Sequence, residues 1–308
     1  MVNIRELSLS EERLAPGHRM CPGCGIPIVT RAILKATKNP IVVANATGCL
    51  EVSTTIYPFT AWRVPWIHNA FENAAATISG VEAAFKSLKR QGKITKDIKF
   101  IAFGGDGGTY DIGLQSLSGA LERGHDFVYV CLDNEGYMNT GIQRSSSTPY
   151  GAWTNTSQVG KAHQGKEQFR KDLTAIIAGH HINYVAQASA HNYMDLMRKA
   201  EKAFNTKGPS FINVLCPCVP GWKYPSHLTL KMAKLAVETC FWPLFEIEND
   251  NWILNFDPGE NKKPINEWLK TQGRFSHLQK PENQHIIEQI QANVDLRWQN
   301  LKKMCGKQ

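Results

Sequence analysis

Two groups of residues in this 308-residue chain have types and spacings that could do chemistry. The first is the run GGDGG at 104–108 together with Asn134. A glycine-rich turn that leaves a strand and enters a helix brings backbone N–H groups to phosphate oxygens, and the helix N-terminus favours the anion. In that arrangement Asp106 stands at the carboxyl end of the apolar run IKFIAF (98–103), and Asn134 at the end of the next one, FVYVCLD (127–133). One carboxylate and one amide oxygen beside a diphosphate suit a hard cation such as Mg2+. The plain alternative is a tight turn, because glycine runs recur without any ligand.

The second group is drawn from the cysteines, at 21, 24, 49, 131, 216, 218, 240 and 305. In a reducing compartment, close-spaced cysteines more often bind metal or do redox work than form disulfides. Cys131 sits in an apolar strand run and Cys240 and Cys305 in helical patterns, so these three read as small hydrophobes. Cys21 and Cys24 form a C-x-x-C pair inside CPGCG, Cys49 follows a strand end in ATGC, and Cys216 and Cys218 follow another. Four thiolates converging at sheet ends could hold Zn2+ or an iron–sulfur cluster, since both take tetrahedral sulfur ligands, and the spacing favours neither. His68 and Glu72 in WIHNAFENAA are candidate bases, although a histidine at a helix start is more often a cap. His180 and His181 close a helix, where a cation suits the dipole, and Arg123, Arg144 and Lys161 form no compact patch.

The elements that must position these residues follow from the apolar pattern. An amphipathic helix after CPGCG presents Ile28, Ala32 and Ile33 on one side, and a strand follows at 41–44. A helix covers 68–90, and another covers 111–124, closed by Gly124. From Asn134 to about Asp172 the pattern fails in a long polar loop of the kind that is commonly functional. Two further helix–strand pairs lead to CPCVPGW, and beyond Tyr224 come a helix, an extended Trp/Phe/Pro-rich part and a final helix from Gln284. The strands are near-continuous apolar runs, which marks a parallel sheet covered on both faces. The expected fold is α/β, a doubly wound and mainly parallel sheet. Residues 1–224 form its cofactor-binding domain, with a C-terminal helical and extended arm at 225–308 packing on it or on partner chains.

Composition narrows the field. With 42% hydrophobic and 20% charged residues the chain is not disordered. No run reaches the ~18 apolar residues of a membrane helix. The start, MVNIRELSLSEERLAPG, has no apolar signal core, so the expected location is the cytoplasm. The net charge of +8 suits an anionic cofactor, an acidic partner or nucleic acid. Nucleic acid is the weakest of these, because no basic run carries interleaved aromatics.

GDG at 105–107, followed by 26 residues and then Asn134, resembles the thiamine diphosphate-binding motif. The continuation DNEGYMNTGIQRSSSTPYG resembles, more narrowly, the β chains of the 2-oxoacid:ferredoxin oxidoreductases of the pyruvate synthase type, and the likeness runs from CPGCG to QGRFSHL. The resemblance implies a thiamine diphosphate-binding fold. It assigns Mg2+ to Asp106, the Asn134 side chain and the Gly136 carbonyl, and the diphosphate turn to Gly105 and Gly107. Asn139 would face the thiazolium and the substrate as the catalytic residue, with Thr140 beside it at the cofactor. A [4Fe–4S] cluster next to the cofactor would be held by Cys21, Cys24, Cys49 and Cys218, with Cys24 and Cys49 also counted among the cofactor-binding residues. Cys218 is preferred over Cys216 because a proline precedes it. The implied reaction is the reversible oxidative decarboxylation of a 2-oxoacid, pyruvate first, with oxalate, 2-oxoisovalerate and 2-oxoglutarate as alternatives. Coenzyme A is the co-substrate and ferredoxin the electron acceptor. An α chain would complete the thiamine site, with γ and ferredoxin-like δ chains beside it. Rival readings are a non-redox thiamine carboligase half and a zinc-stabilised binding module.

Overall fold

The computed structural model describes residues 9–307; residues 1–8, the first part of the segment read for an export signal, lie outside that range. Eight strands, β1 (Ile41–Ala46), β2 (Trp66–Asn69), β3 (Lys99–Gly105), β4 (Val128–Asp133), β5 (Tyr184–Ser189), β6 (Ser210–Leu215), β7 (Phe245–Glu248) and β8 (Asn251–Leu254), form one sheet in the order β2-β1-β3-β4-β6-β5-β7-β8. The first six strands in that order pair in parallel. β7 and β8 extend the sheet antiparallel, so the segment beyond Tyr224 is continuous with it.

The apolar strand runs are continuous because both faces are buried, and successive residues feed opposite cores. Phe100 and Ala102 join the core under the helices Ala74–Arg90, Leu114–Glu122, Leu173–Ala178 and Gln284–Met304. Ile101 and Phe103 join the other core, under the helices Gly25–Leu34 and Tyr193–Asn205. This is the doubly wound α/β architecture that the sequence pattern predicts.

Two local expectations are corrected. The first helix buries Ile26, Val29 and Ile33, whereas Ile28 is 38% exposed. Ile28 and Ile33 are five residues apart and cannot share a helical face; 26, 29 and 33 can. The stretch 68–90 is not one helix: Trp66–Asn69 is the edge strand β2, a turn follows, and the helix begins at Ala74. An edge strand with Ile67 and His68 exposed carries no apolar run, which hides it from periodicity.

The strand order reverses at β1 and β3. The chain leaving β1 enters a short helix, Cys49–Thr54, whose Leu50 packs in one core, while the chain leaving β3 leads to a helix packed in the other. A crevice opens at the carboxyl ends of strands at such a point. Among the described residues, no helix is long and apolar enough to cross a membrane.

Candidate functional site

Gly105 of β3 pairs with Leu132 of β4, so Asp106 and Asn134 leave adjacent strands side by side. The amide end of Asn134 lies 2.9 Å from Asp106 Oδ1 and 2.8 Å from the Gly136 carbonyl oxygen. Turned with its nitrogen inward it donates to both. Turned with its oxygen inward it completes a cradle of three oxygens, and cis oxygens around Mg2+ bound at ~2.1 Å stand about 3 Å apart. Ser145 Oγ donates to the other Asp106 oxygen, leaving Oδ1 for the cradle. Burial, reinforced by the neighbouring Asp133 charge, pushes the Asp106 carboxyl well above its ordinary range, against the Ser145 bond. A cation in the cradle would reverse that imbalance.

The cradle sits in a cleft of about 30 Å³ walled by Thr47–Cys49 from the end of β1, by Gly105–Gly108 and by the loop Asn134–Thr140. The two motif glycines serve different ends. A Cβ on Gly105 would meet nothing within 4 Å, so its bare backbone faces open space where a ligand could approach. A Cβ on Gly107 would stand 2.3 Å from the Tyr137 ring, which packs there and donates from its hydroxyl to the Gly107 carbonyl at 3.0 Å. The chain then makes a π-type turn over Gly107–Asp111, a widened turn that recurs at functional sites.

Behind the cleft lies a buried polar layer that sequence reasoning missed. Asp133 accepts hydrogen bonds from Tyr110 (2.6 Å), Ser147 (2.6 Å), Arg170 (3.1 Å) and the Glu135 N–H (3.0 Å). Glu135, fully buried at φ 65°, pairs with Arg274 at 2.5 Å. Burial raises the Glu135 carboxyl, while Arg274 and Arg170 hold it down. The Arg274 guanidinium stacks 4.2 Å above Trp222, whose indole N–H donates to the Asn134 carbonyl at 2.8 Å. Thus the cradle loop is braced from the C-terminal segment. The acidic pair flanking Asn134 in DNE was the one available signal, but its arginines lie 37 and 139 residues away.

Five cysteines, Cys21, Cys24, Cys49, Cys216 and Cys218, line a second cavity of about 210 Å³ together with Met138 and Asn139. The C-x-x-C turn reaches it because Gly25 N–H donates to the Pro217 carbonyl at 3.2 Å, and because Gly23, at φ 76°, packs on Ser226 with no space for a Cβ. The backbone at Ile26, Asn139 and Gly221 works against the upward push of burial on Cys24, Cys49 and Cys218. Cys216 donates to the Val214 carbonyl at 3.4 Å, which suits a neutral thiol. Burial pushes Cys24 up to about 11 and Cys49 up to about 12, and raises Cys218 too, so these thiols would ionise only beside a cation. Among the described residues, no three His, Cys, Asp or Glu side chains gather closely enough to hold one metal ion. The thiols ring a cavity instead.

The cofactor residues read from sequence thus meet at one sheet edge: Gly105, Asp106, Gly107, Asn134, Gly136, Asn139 and Thr140 in the cleft, and Cys21, Cys24, Cys49 and Cys218 beside it. His68 does not join them. It lies in β2, half-exposed, stacked on Trp66 and 3.2 Å from Glu51, and neither it nor Glu72 lines either cavity.

Residues 46–214 match the model of the thiamine pyrophosphate enzyme C-terminal TPP binding domain. The chain is 52% identical to pyruvate synthase subunit PorB of Thermotoga maritima, over 97% of this chain and 95% of that protein. It is 55% identical to the PorB of Methanocaldococcus jannaschii, over 92% and 95%. It is 44% identical to ketoisovalerate oxidoreductase subunit VorB of Pyrococcus abyssi, over 98% and 96%. Its fold is similar to that of a 2-oxoglutarate:ferredoxin oxidoreductase from Magnetococcus marinus solved with 2-oxoglutarate, coenzyme A and succinyl-CoA bound, with a TM-score of 0.57 at 17% identity over 72% of this chain and 79% of that one.

Proposed function

The chain belongs to the pyruvate synthase PorB subunits, β subunits of 2-oxoacid:ferredoxin oxidoreductases, and from that premise we propose that it binds thiamine diphosphate with Mg2+ and one [4Fe–4S] cluster for the reversible oxidative decarboxylation of pyruvate. The products are acetyl-CoA and CO2, and the electrons pass to ferredoxin. When bound, thiamine diphosphate supplies the electron sink for decarboxylation and the cluster the one-electron exit. The observation that carries the reading is the adjacency of the three-oxygen cradle and the five-thiol cavity at one sheet edge.

Asp106, Asn134 and the Gly136 carbonyl would hold Mg2+, with Gly105 leaving room for the diphosphate. Cys21, Cys24, Cys49 and Cys218 would hold the cluster. Cys218 is favoured over Cys216 as the fourth ligand because Cys216 spends its S–H on the Val214 carbonyl, whereas the backbone at Gly221 works against the burial of Cys218. A zinc module would have no use for the oxygen cradle, and a carboligase none for the sulfur cavity. Asn139, exposed at the cleft mouth with Thr140, would offer its amide to the substrate. The buried layer of Asp133, Glu135, Arg170 and Arg274 fixes the cradle loop.

A cleft of about 30 Å³ cannot enclose a whole cofactor, which supports an α chain as its other wall. The γ and δ chains, coenzyme A and a cytoplasmic location belong to the same reading. Residues 1–224 would carry both cofactors, and residues 225–308 would brace the site and meet partner chains. The 44% likeness to VorB keeps 2-oxoisovalerate as the second substrate reading. The test is viologen reduction by the anaerobically purified complex with pyruvate, oxalate, 2-oxoisovalerate and 2-oxoglutarate in parallel. Coenzyme A-dependent reduction with pyruvate is expected. Preference for another acid overturns the substrate assignment, and no reduction with any acid overturns the reaction.

A further inference from the structure

The cofactor cleft and the thiol cavity share Cys49, Asn134, Met138 and Asn139 as a common wall. Met138 is the apolar side chain of that wall, and it is clamped from both sides. A Cβ on Gly221 would stand 2.3 Å from its sulfur and 2.6 Å from its methyl carbon, and a Cβ on Gly136 would stand 3.0 Å from the same methyl. The clamping glycines each serve one site. Gly136 turns its carbonyl into the oxygen cradle, and Gly221 packs against Cys218, whose sulfur would lie 3.2 Å from a Cβ there. Asn139, next along the chain, lines both cavities together with Cys49.

We propose that Met138 is a positioning residue that partitions the two sites: its thioether seals the thiol cavity from the cleft and holds Asn139 in place between them. The proposal rests on the reading that the thiols hold an iron–sulfur cluster. A flexible, polarizable thioether of this length fills an irregular gap between two glycines. Truncation would join the cavities and admit solvent to the sulfurs. Ligands seated in the cleft lean on the same wall, so thiamine diphosphate should slow the loss of iron from the cavity, and the coupling is reciprocal.

The experiment compares the wild type, M138A and M138L in the anaerobically purified complex. Iron content is measured first. The readouts are then the rate of iron loss to a chelator, with and without thiamine diphosphate and Mg2+, and the cluster midpoint potential by EPR titration. M138A is expected to lose iron at least ~5-fold faster, to lose the protection given by thiamine diphosphate, and to move its potential positive as solvent enters, while M138L stays within ~2-fold of wild type. If M138A does not assemble, M138V, which removes the thioether and leaves a short branched side chain, carries the same expectation. Wild-type rates and potential in an iron-loaded M138A or M138V overturn the partition alone. Wild-type complex without iron in this chain overturns the cluster reading, and the partition with it.

Discussion

At the scale of single residues, the account depends on Asp106 being a carboxylate that burial makes reluctant to ionise. D106A should weaken Mg2+-dependent thiamine diphosphate binding by ~100-fold or more, read by calorimetry on the complex, while iron content stays at the wild-type value. Retained binding in D106A would remove the cradle from the account. The pH dependence has a definite sign. Since the folded-state affinity of Asp106 for its proton is raised above the ordinary carboxylate value of 3.8, the metal-free fold binds the extra proton at low pH. The stability linked to that proton is present below the ordinary range and is lost as pH rises through the raised value. Mg2+ with thiamine diphosphate should therefore raise the melting temperature more at pH 8 than at pH 5. An equal shift at both would show that no proton is displaced. Gly107 offers a steric counterpart: G107A places a Cβ 2.3 Å from the Tyr137 ring and should disorder the cleft, whereas G105A meets no protein atom and should act on cofactor affinity alone.

At the scale of elements, the loop 134–139 is held in place by a segment that lies far along the chain. Arg274 and Glu135 are both buried, and removing one partner strands the other charge; R274M should cost ~3–5 kcal/mol in denaturant unfolding of the complex. E135Q in the R274M background should recover part of that loss, and no recovery would place the cost in the lost stacking on Trp222 instead. The same contrast explains what the sequence made legible. The parallel strands could be read because burial on both faces writes them as unbroken apolar runs, and the aspartate and asparagine because a fixed spacing puts them on neighbouring strand ends. β2 could not, being an edge strand with exposed residues, and neither could the arginine brace, whose partners meet only after residues 139 positions apart fold together. The first helix shows a subtler limit, where the apolar residues were visible but the face had to be chosen among them.

At the scale of the whole molecule, the proposed function makes this chain one half of an active site. The cleft is shallow, Asn139 and Thr140 are exposed at its mouth, and the bracing layers all lie behind it. Supplied with Mg2+, thiamine diphosphate, pyruvate and coenzyme A, the isolated chain should reduce no viologen, and adding the partner chains should restore turnover. Activity in the isolated chain would show the site to be complete without them. The central claim is that one sheet edge joins a thiamine site to an iron–sulfur site. It is tested most directly by EPR of the anaerobic complex frozen after mixing with pyruvate, for wild type, D106A, C218S and C216S. The account predicts a reduced cluster signal from this chain in wild type and C216S, an intact but unreduced cluster in D106A, and no cluster in C218S. A full, pyruvate-reducible cluster in C218S, or zinc in place of iron in the wild type, would contradict it.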